Sequence, residues 1–414
     1  MSWQEFLQQS VDTWKRARRL RYRGGRPVEA TVPAAEESRT LAAPIDEASA
    51  RTGNALSNLL DFSSNDYLGL RSDRRVVHAK DGLGVVGSGA SPVLSGYTVH
   101  HRMLEETLST WCGAEAAIVF SSGYACNLGV IACLAREGDL ILSDQLNHAS
   151  MIDGCRLSRA RVEVYPHGNV AHVDDFLHRN RHLYQRALIL TESVFSMDGD
   201  LAPLVDLADV ARRHDAALLV DEAHAVGIYG SQGAGLVEEV LPNADQVLLK
   251  TGTLSKAIGT VGGYAVGSKT AIEYLVNFCR SYIFSTAPPP CITAAAAQSI
   301  QCIRQMHRER TQLRQQSFAF RKRLRESGID VPSGDSPIVP VVVGSEERVL
   351  QAAELMRQRG LVVPAIRPPT VPAGTSRLRI SLSCRHRSED LDRLHAALLD
   401  AWQQLGMSRS DLVR

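Results

Sequence analysis

One lysine of this chain lies where an amine nucleophile could act. Of its 46 basic residues only six are lysines and forty are arginines. Lys256 follows the apolar run QVLLKTG at 246–252 and lies in the small-residue stretch TGTLSKAIG at 251–259. Unlike arginine, lysine can lose its proton and attack a carbonyl group to form a Schiff base. The pattern predicts a nucleophilic Lys256, with Lys250 as the competing candidate and a solvated loop lysine as the structural alternative.

A carboxylate and a histidine end the apolar run predicted upstream of this lysine. The run AALLVDEAH at 216–224 ends in Asp221, Glu222 and His224. An acid at the carboxyl end of a buried parallel strand lies where α/β sheets bind ligands, and a buried carboxylate needs a cationic partner. The protonated ring nitrogen of pyridoxal phosphate (PLP) would be such a partner, and its protonation makes the ring an electron sink. A metal ion or a purely structural carboxylate is the alternative.

Two further segments have the composition of a cofactor cradle. In FSSGYACN at 120–127 a predicted strand passes through Gly123 and Tyr124 into a helix, where free backbone N–H groups and the helix dipole favour a phosphate. His148 follows the predicted strand LILSD at 140–144, and its ring could stack on a flat cofactor. Alone, the first segment is no more than a turn and the second no more than a polar histidine. In this order along the chain they predict a site for a flat cofactor that carries a phosphate.

The elements that must position these residues read as a layered α/β domain followed by a smaller one. Apolar runs that alternate with helical patterns such as 203–215 indicate a mostly parallel sheet covered on both faces. The runs lie at 117–122, 140–144, 161–165, 187–194, 216–224, 246–252 and 262–267. After about residue 290 we expect an α+β domain with a helix at 293–327, a strand at 337–344, a helix at 346–359, a strand at 377–383 and a helix at 388–404.

The predicted boundaries divide the chain into three parts. Residues 1–60 form an N-terminal helix and a strap, 61–290 the large α/β domain, and 291–414 the small α+β domain. The stretch 27–56 is rich in Pro, Ala, Ser and Thr and lacks apolar periodicity, which is typical of a linker.

Composition excludes several other classes of protein. The formal net charge is +1, which argues against nucleic acid or an anionic membrane as the main partner. No apolar run approaches the roughly 20 residues of a membrane helix, and the N-terminus lacks the apolar core of a signal peptide. The eight cysteines include no CxxC pair, and the thirteen histidines no HExxH. We therefore expect a cytoplasmic protein with reduced thiols and no metal site.

Taken together, these motifs resemble the α-oxoamine synthases among the fold-type I PLP enzymes. The resemblance covers roughly residues 60 to 400 and the MSWQE opening. It is carried by SSNDYLGL (63–70), GSGASPVLSGYTVHHRMLEE (87–106), FSSGYACN (120–127), NHAS (147–150), TESVFSMDGD (191–200), VDEAHAVGIYG (220–230), TGTLSKAIG (251–259) and FSTAPPP (284–290). The expected fold is a large seven-stranded α/β/α domain with a small C-terminal α+β domain.

The resemblance implies a role for each matching residue. Lys256 forms the Schiff base with PLP, Asp221 pairs with the pyridinium nitrogen, His224 lies beside the phenolic oxygen and His148 stacks on the ring. Gly123 and Tyr124 approach the cofactor through their backbone. Further cofactor contacts fall to Ser196, Thr253 and, from the second subunit of a homodimer, Thr286. The substrate-side positions are Arg21, Asn65, Thr370 and Arg379, of which Arg379 holds the amino-acid carboxylate.

Members of this family condense an amino acid with an acyl thioester and release carbon dioxide. The segment AIRPPTVPAGTSRLRISLS at 365–383 is similar to the biotin-pathway branch, which implies L-alanine and a pimeloyl thioester carried by coenzyme A or by acyl carrier protein. A sister activity such as glycine C-acetyltransferase would share every cofactor residue. A non-catalytic PLP-fold partner subunit is the alternative from another class, although such subunits typically lose the lysine.

The chain departs from the family pattern at the substrate side. Ala90, Ser91 and Pro92 stand where the family's glycine segment usually carries an arginine, and proline removes a backbone donor and fixes φ. The linker at 27–56 is also longer than family members need. Both differences concern the substrate entrance rather than the cofactor site.

Overall fold

The computed structural model describes residues 24–25, 43–44, 59–81, 83–241 and 247–407. Arg21, most of the predicted N-terminal helix and strap, and most of the linker lie outside these residues. In this part of the chain no helix is long and apolar enough to cross a membrane.

A seven-stranded sheet forms the centre of the molecule. Its strand order is β4-β10-β9-β8-β7-β5-β6, and β10 runs antiparallel to both of its neighbours while the other neighbouring strands are parallel. All strands are β1 Gly24–Gly25, β2 Ala43–Pro44, β3 Leu60–Asp61, β4 Ala116–Phe120, β5 Leu140–Asp144, β6 Arg161–Tyr165, β7 Ala187–Glu192, β8 Ala217–Asp221, β9 Val247–Thr253, β10 Gly263–Gly267, β11 Ile338–Gly344, β12 Leu361–Val362, β13 Ala365–Ile366 and β14 Ser376–Ser381.

Helices cover both faces of this sheet, and a separate apolar cluster fills each side. The inner strands β5, β7 and β8 are apolar on both faces because each face packs against helices. The helices are α1 Arg74–His78, α2 Val99–Trp111, α3 Gly123–Leu134, α4 Ala149–Ser158, α5 Val170–Asn180, α6 Leu204–Arg213, α7 Leu236–Val240, α8 Lys269–Phe278, α9 Arg280–Ile283, α10 Pro290–Gln305, α11 His307–Glu326, α12 Glu346–Gln358 and α13 Ser388–Gln404. The predicted layered α/β architecture with seven strands is confirmed.

A second, three-stranded sheet with order β11-β14-β13 is antiparallel throughout. It carries α12 and α13 and accounts for the α+β pattern predicted beyond residue 337. A short parallel pair, β12 with β3, ties the segment that enters the large sheet to this smaller unit. The domain boundaries themselves stay a prediction.

One predicted element differs in the structure. The helical pattern at 293–327 is two helices, α10 and α11, that are interrupted at Met306 with φ −91° and ψ 37°. The interruption lets the two helices pack on different partners, since α10 lies against α2 and α11 contacts β11.

Candidate functional site

The predicted chemistry-bearing residues gather at the carboxyl ends of the parallel strands. Asp221 is the last residue of β8, and Lys256 lies three residues beyond the end of β9. Gly123 opens α3, and His148 caps the amino end of α4. Each residue therefore sits on or directly after a rigid element, at the edge where α/β sheets bind ligands.

Lys256 is the end of a chain of polar side chains. Its Nζ lies 2.7 Å from His224 Nε2, and His224 Nδ1 lies 2.7 Å from the hydroxyl of Tyr67. The Tyr67 hydroxyl donates to Asn65 Oδ1 at 3.2 Å. Because that bond uses its hydrogen, the pattern assigns the His224 proton to Nδ1 and leaves Nε2 to accept from the lysine.

The electrostatics of this chain favour a neutral lysine amine. Burial lowers the pKa of Lys256 to about 8, against the opposing effect of Asp221 and Glu192, and the Arg379 guanidinium lowers it further. Burial, with Lys256 and Arg379, also holds the pKa of His224 well below its usual range. A neutral imidazole beside an amine that loses its proton near neutral pH is a combination suited to nucleophilic and base chemistry.

Asp221 is buried and held in a fixed orientation. Asn127 Nδ2 donates to Asp221 Oδ2 at 2.6 Å, and the backbone N–H of Ala223 donates to Oδ1 at 2.8 Å. Asn127 is itself oriented by the Thr251 hydroxyl, which donates to its Oδ1 at 2.7 Å. This support aims one carboxylate at a defined place, as pairing with a ring nitrogen requires.

The adjacent acid, Glu222, faces elsewhere. Its carboxylate accepts from the Ser193 hydroxyl at 2.6 Å and from the backbone N–H groups of Leu236 and Val237, at 3.0 and 2.7 Å. Both N–H groups belong to the first turn of α7, whose donors have no partner within the helix. Glu222 therefore stabilises the fold, while Asp221 faces the site.

The amino end of α3 forms a close-fitting cradle. A Cβ atom added to Gly123 would lie 3.1 Å from Thr253 Cβ, so a side chain there would fill the space beside the strand end. Ser122 caps the helix by accepting from Ala125 N at 3.0 Å. Free helix N–H groups next to the Thr253 hydroxyl can bind a phosphate.

His148 and Tyr124 complete the cofactor side. The His148 ring is exposed, and its Nδ1 lies 2.7 Å from the Ser150 hydroxyl, which fixes the ring orientation. Tyr124 packs edge-on against it with ring centroids 6.2 Å apart, and its hydroxyl donates to Asp153. The exposed face of the imidazole is free to stack on a flat ring.

Arg379 closes the other side of the site from β14. Its Nε donates to the Ser196 carbonyl at 2.6 Å and its Nη1 donates to Asn65 Oδ1 at 3.1 Å and to the Ser381 hydroxyl at 2.8 Å. Its Nη2 is buried and has no hydrogen-bond partner among the described residues. A buried guanidinium nitrogen with no partner is poised to bind a carboxylate.

Three residues at the site were not singled out from the sequence. Tyr67 and Asn127 lie in motifs that were recognised, and Asn127 is four residues after Gly123 and so lies on the same face of α3. Glu192 ends the buried strand β7 opposite Asp221, which is the signal that identified Asp221. Burial raises the pKa of Glu192 to about 8, and the Asp221 charge adds to this effect.

The structure does not bring every predicted residue into this cluster. Thr286 is exposed, and no hydrogen bond among the described residues links it to Lys256 or Asp221. Thr370 is exposed in the turn after β13. Lys250 Nζ donates to the Cys112 carbonyl at 2.6 Å and is absent from the site. Metal-type clusters of three or more His, Cys, Asp or Glu are also absent from the described ranges.

The donor set fits a flat cofactor with a ring nitrogen and a phosphate. The space beside Gly123, the fixed Asp221 carboxylate and the exposed His148 ring match the three parts of such a molecule. Lys256 supplies an amine that can bond to a carbonyl carbon. The sheet and this site define a fold-type I enzyme of the transferase class.

The chain belongs to the family described as aminotransferase class I and II, whose model matches residues 57–398. It is 44% identical to 8-amino-7-oxononanoate synthase of Alkalilimnicola ehrlichii, over 81% of this chain and 86% of that protein. It is 46% identical to the protein of the same name from Anaeromyxobacter dehalogenans, over 84% and 86% of the two chains. The resemblance to the α-oxoamine synthases is thereby confirmed.

A solved structure of a PLP enzyme has the same fold as this chain. Serine palmitoyltransferase from S. paucimobilis, with a bound PLP–myriocin aldimine, is 33% identical and superposes with a TM-score of 0.81. The superposition covers 84% of this chain and 88% of that one.

Proposed function

We propose that this chain is a PLP-dependent acyltransferase of biotin biosynthesis, an 8-amino-7-oxononanoate synthase. It condenses L-alanine with a pimeloyl thioester and yields 8-amino-7-oxononanoate, carbon dioxide and the free thiol. The observation that carries this proposal is the Lys256–His224 pair beside Asp221, in a chain 44% and 46% identical to two synthases of that name. The small-molecule substrates follow from this activity.

The residues that would hold the cofactor are those gathered at the strand ends. Lys256 would bond to its aldehyde carbon, Asp221 would pair with the ring nitrogen, His224 would serve the phenolic oxygen and His148 would stack on the ring. Gly123 and Tyr124 would hold the phosphate, with Thr253 and Ser196 as further contacts. Bound PLP supplies an electron sink for the charge that develops at the α-carbon of the amino acid.

On the substrate side, Arg379 Nη2 receives the carboxylate of L-alanine, because this buried nitrogen has no partner in the part of the chain that the structure describes. Asn65 holds Arg379 in place by accepting from Nη1 at 3.1 Å. Thr370 and Arg21 are proposed to line the substrate path.

Lys256 is the base of the reaction. Its Nζ, with a pKa of about 8, carries a lone pair in a useful fraction of molecules at neutral pH. It takes the α-proton of L-alanine, and the new carbon–carbon bond forms to the pimeloyl carbonyl as the carbon–sulfur bond breaks. The sulfur leaves as the thiolate and takes a proton from water. The α-carboxylate then departs as carbon dioxide, and the proton returns to carbon. His224 Nε2 orients the amine through its 2.7 Å contact.

The working unit is proposed to be a homodimer with shared sites. Thr286 lies on an exposed segment whose backbone is fixed: the Ser88 hydroxyl and His101 Nε2 meet the Pro288 carbonyl at 2.6 and 2.8 Å. Nearby apolar side chains such as Phe284 and Leu94 are 72% and 78% exposed. This surface fits a second copy of the chain. Thr286 would then reach the phosphate of the cofactor that the second copy holds. Sedimentation equilibrium should give twice the chain mass, and a monomer would contradict the proposal.

The acyl carrier, coenzyme A or acyl carrier protein, is part of the same proposal, and the cytoplasmic location stays a prediction. The discriminating experiment pairs each of L-alanine, glycine and L-serine with pimeloyl, acetyl and long-chain acyl thioesters. Pimeloyl groups are offered on both carriers. We expect the highest kcat/KM for L-alanine with a pimeloyl thioester. A preference for glycine with acetyl thioester would instead indicate glycine C-acetyltransferase, and no turnover with any pair would favour a non-catalytic partner subunit.

A further inference from the structure

The turn at residues 195–200, between β7 and α6, supports the amino-acid side of the site. The Ser196 carbonyl accepts from Arg379 Nε at 2.6 Å, so the position of this turn determines how the guanidinium is oriented. Within the turn, Gly199 N donates to the Phe195 carbonyl at 2.8 Å and Phe195 N donates to the Asp200 carbonyl at 3.0 Å. These bonds make the turn a compact unit.

The small sheet holds one side of the turn. Arg377, two residues before Arg379 on the same side of β14, forms an ion pair with Asp198. The Ser336 hydroxyl donates to the Gly199 carbonyl. Gly199 has φ +69°, and a Cβ atom there would lie 2.2 Å from the Ile338 carbonyl, so the turn lies directly against β11.

His167 holds the other side, from the large sheet. Its Nε2 lies 2.8 Å from Asp200 Oδ2, and its Nδ1 lies 2.9 Å from Asp144 Oδ1 at the end of β5. The ring also packs edge-on against Phe195, with centroids 4.4 Å apart. Asp144 is anchored in turn by the backbone N–H groups of Leu146 and Gly168, at 2.8 and 2.9 Å.

Both ring nitrogens of His167 must donate in this arrangement. An ionised carboxylate only accepts, so a ring between two carboxylates is satisfied only as an imidazolium. Burial alone would lower the pKa of His167, but the hydrogen bonds to Asp144 and Asp200 outweigh it and raise the pKa to about 10. The bridge is therefore charged and intact at neutral pH.

We propose that His167 is a positioning residue for amino-acid binding. By joining Asp144 to Asp200 it fixes the turn 195–200 and, through the Ser196 carbonyl, the direction in which Arg379 presents Nη2. The inference rests on the proposed role of Arg379 in binding the carboxylate. Of the residues proposed to hold the cofactor, only Ser196 lies on this turn, so removal of His167 should weaken binding of the amino-acid carboxylate more than binding of the cofactor.

The test measures equilibrium binding by holoenzyme without thioester, from the absorbance change of the cofactor. The variants are H167Q, D200N and R379Q, and H78Q serves as the control because His78 forms a surface pair with Asp81 at 2.8 Å. The ligands are L-alanine and L-alanine methyl ester, which lacks the carboxylate. The dissociation constant of PLP is measured in parallel.

We expect H167Q to raise the dissociation constant of L-alanine by about tenfold and D200N by about threefold. The constant for the methyl ester should stay within about twofold. The constant for PLP should rise by less than the constant for L-alanine, because only one proposed cofactor contact, Ser196, lies on the turn. H78Q should match the wild type in all three. D200N keeps the size of the side chain, so it decides the question if H167Q does not fold.

Two results distinguish the positioning role of His167 from the proposed role of Arg379 in binding the carboxylate. If R379Q weakens L-alanine binding while H167Q and D200N do not, the positioning role is wrong and the role of Arg379 stands. If R379Q leaves L-alanine binding unchanged, the proposed role of Arg379 is wrong. An equal loss for L-alanine, its ester and PLP in H167Q and D200N would show a general structural role and overturn the inference.

Discussion

Two lysines six residues apart, the buried Lys250 and the half-buried Lys256, have surroundings that differ in kind. Lys250 lies on β9, where side chains alternate between faces, so it points away from Thr251 and Thr253. Its Nζ donates to the Cys112 carbonyl at 2.6 Å and so ties β9 to the end of α2. Lys256 instead meets an imidazole nitrogen; burial lowers its pKa to about 8, and the Arg379 guanidinium lowers it further.

The difference concerns what each amine can do. A buried amine that donates to a backbone carbonyl holds two elements together. A lysine whose pKa is lowered by burial, and whose amine lies beside an imidazole nitrogen, can give up its proton and attack carbon. The groups that surround each lysine thus decide between a structural role and a chemical one.

Replacing each lysine in turn gives the largest expected effect. K256A should lose the yellow Schiff-base absorbance and lower kcat by about a thousandfold or more, because nucleophile and base are removed together. K250M should keep the absorbance and kcat, but lose about 2 kcal/mol in the free energy of unfolding, because the Cys112 carbonyl loses its donor. Spectroscopy, steady-state kinetics and urea unfolding check the pair. If K256A turned over at the wild-type rate, the proposed role of Lys256 as nucleophile and base would be wrong.

The neighbouring acids extend the comparison with a smaller effect. D221N should lower kcat by about a hundredfold, because an amide cannot hold the ring nitrogen protonated. E222Q is the matched control: its side chain faces the first turn of α7, so we expect near-normal kcat and a reduced melting temperature. If E222Q lost more activity than D221N, the assignment of the two faces would be reversed.

Replacing Glu192 should give the smallest effect, and we expect it in the free energy of unfolding. The pKa of Glu192 in the folded state, about 8, exceeds its ordinary value of 4.5, so the folded state binds more protons and wild-type stability falls as pH rises from about 4.5 to 8. E192Q removes this titration. The variant should gain about 1 kcal/mol or more on the wild type between pH 5 and pH 8, in urea unfolding of the cofactor-free chain. A difference that does not vary with pH would contradict this.

Much of the fold could be predicted because the residue pattern of each inner strand depends directly on what covers its two faces. Runs such as LILSD and ALLVD are apolar on both faces only when helices cover both, and each predicted strand of the large sheet appears within a few residues of its place. The interruption at Met306 could not be predicted, because the helical pattern runs through it. It arises from packing, because α10 packs against α2 while α11 packs against β11 of the small sheet.

For the site, the sequence indicates which residue types collect at the strand ends but not which way each points. Asp221 and Glu222 are adjacent acids in the sequence, and only the structure shows that their carboxylates point in different directions. Asn127 and Tyr67 act through hydrogen bonds to residues 94 and 157 positions away, which no local pattern reveals. The roles proposed for the individual residues stay predictions until such variants are measured.

The bond between Arg379 and Asn65 joins residues 314 positions apart, and this separation bears on how the enzyme matures. A chain that leaves the ribosome from its amino end exposes Asn65, Tyr67 and Lys256 long before β14 is synthesised. Contacts this distant in sequence close late, since the entropy of the intervening chain opposes them. The lysine and the acid can therefore be in place while the amino-acid pocket is not, so a nascent large domain would acquire its cofactor edge before it could recognise a substrate.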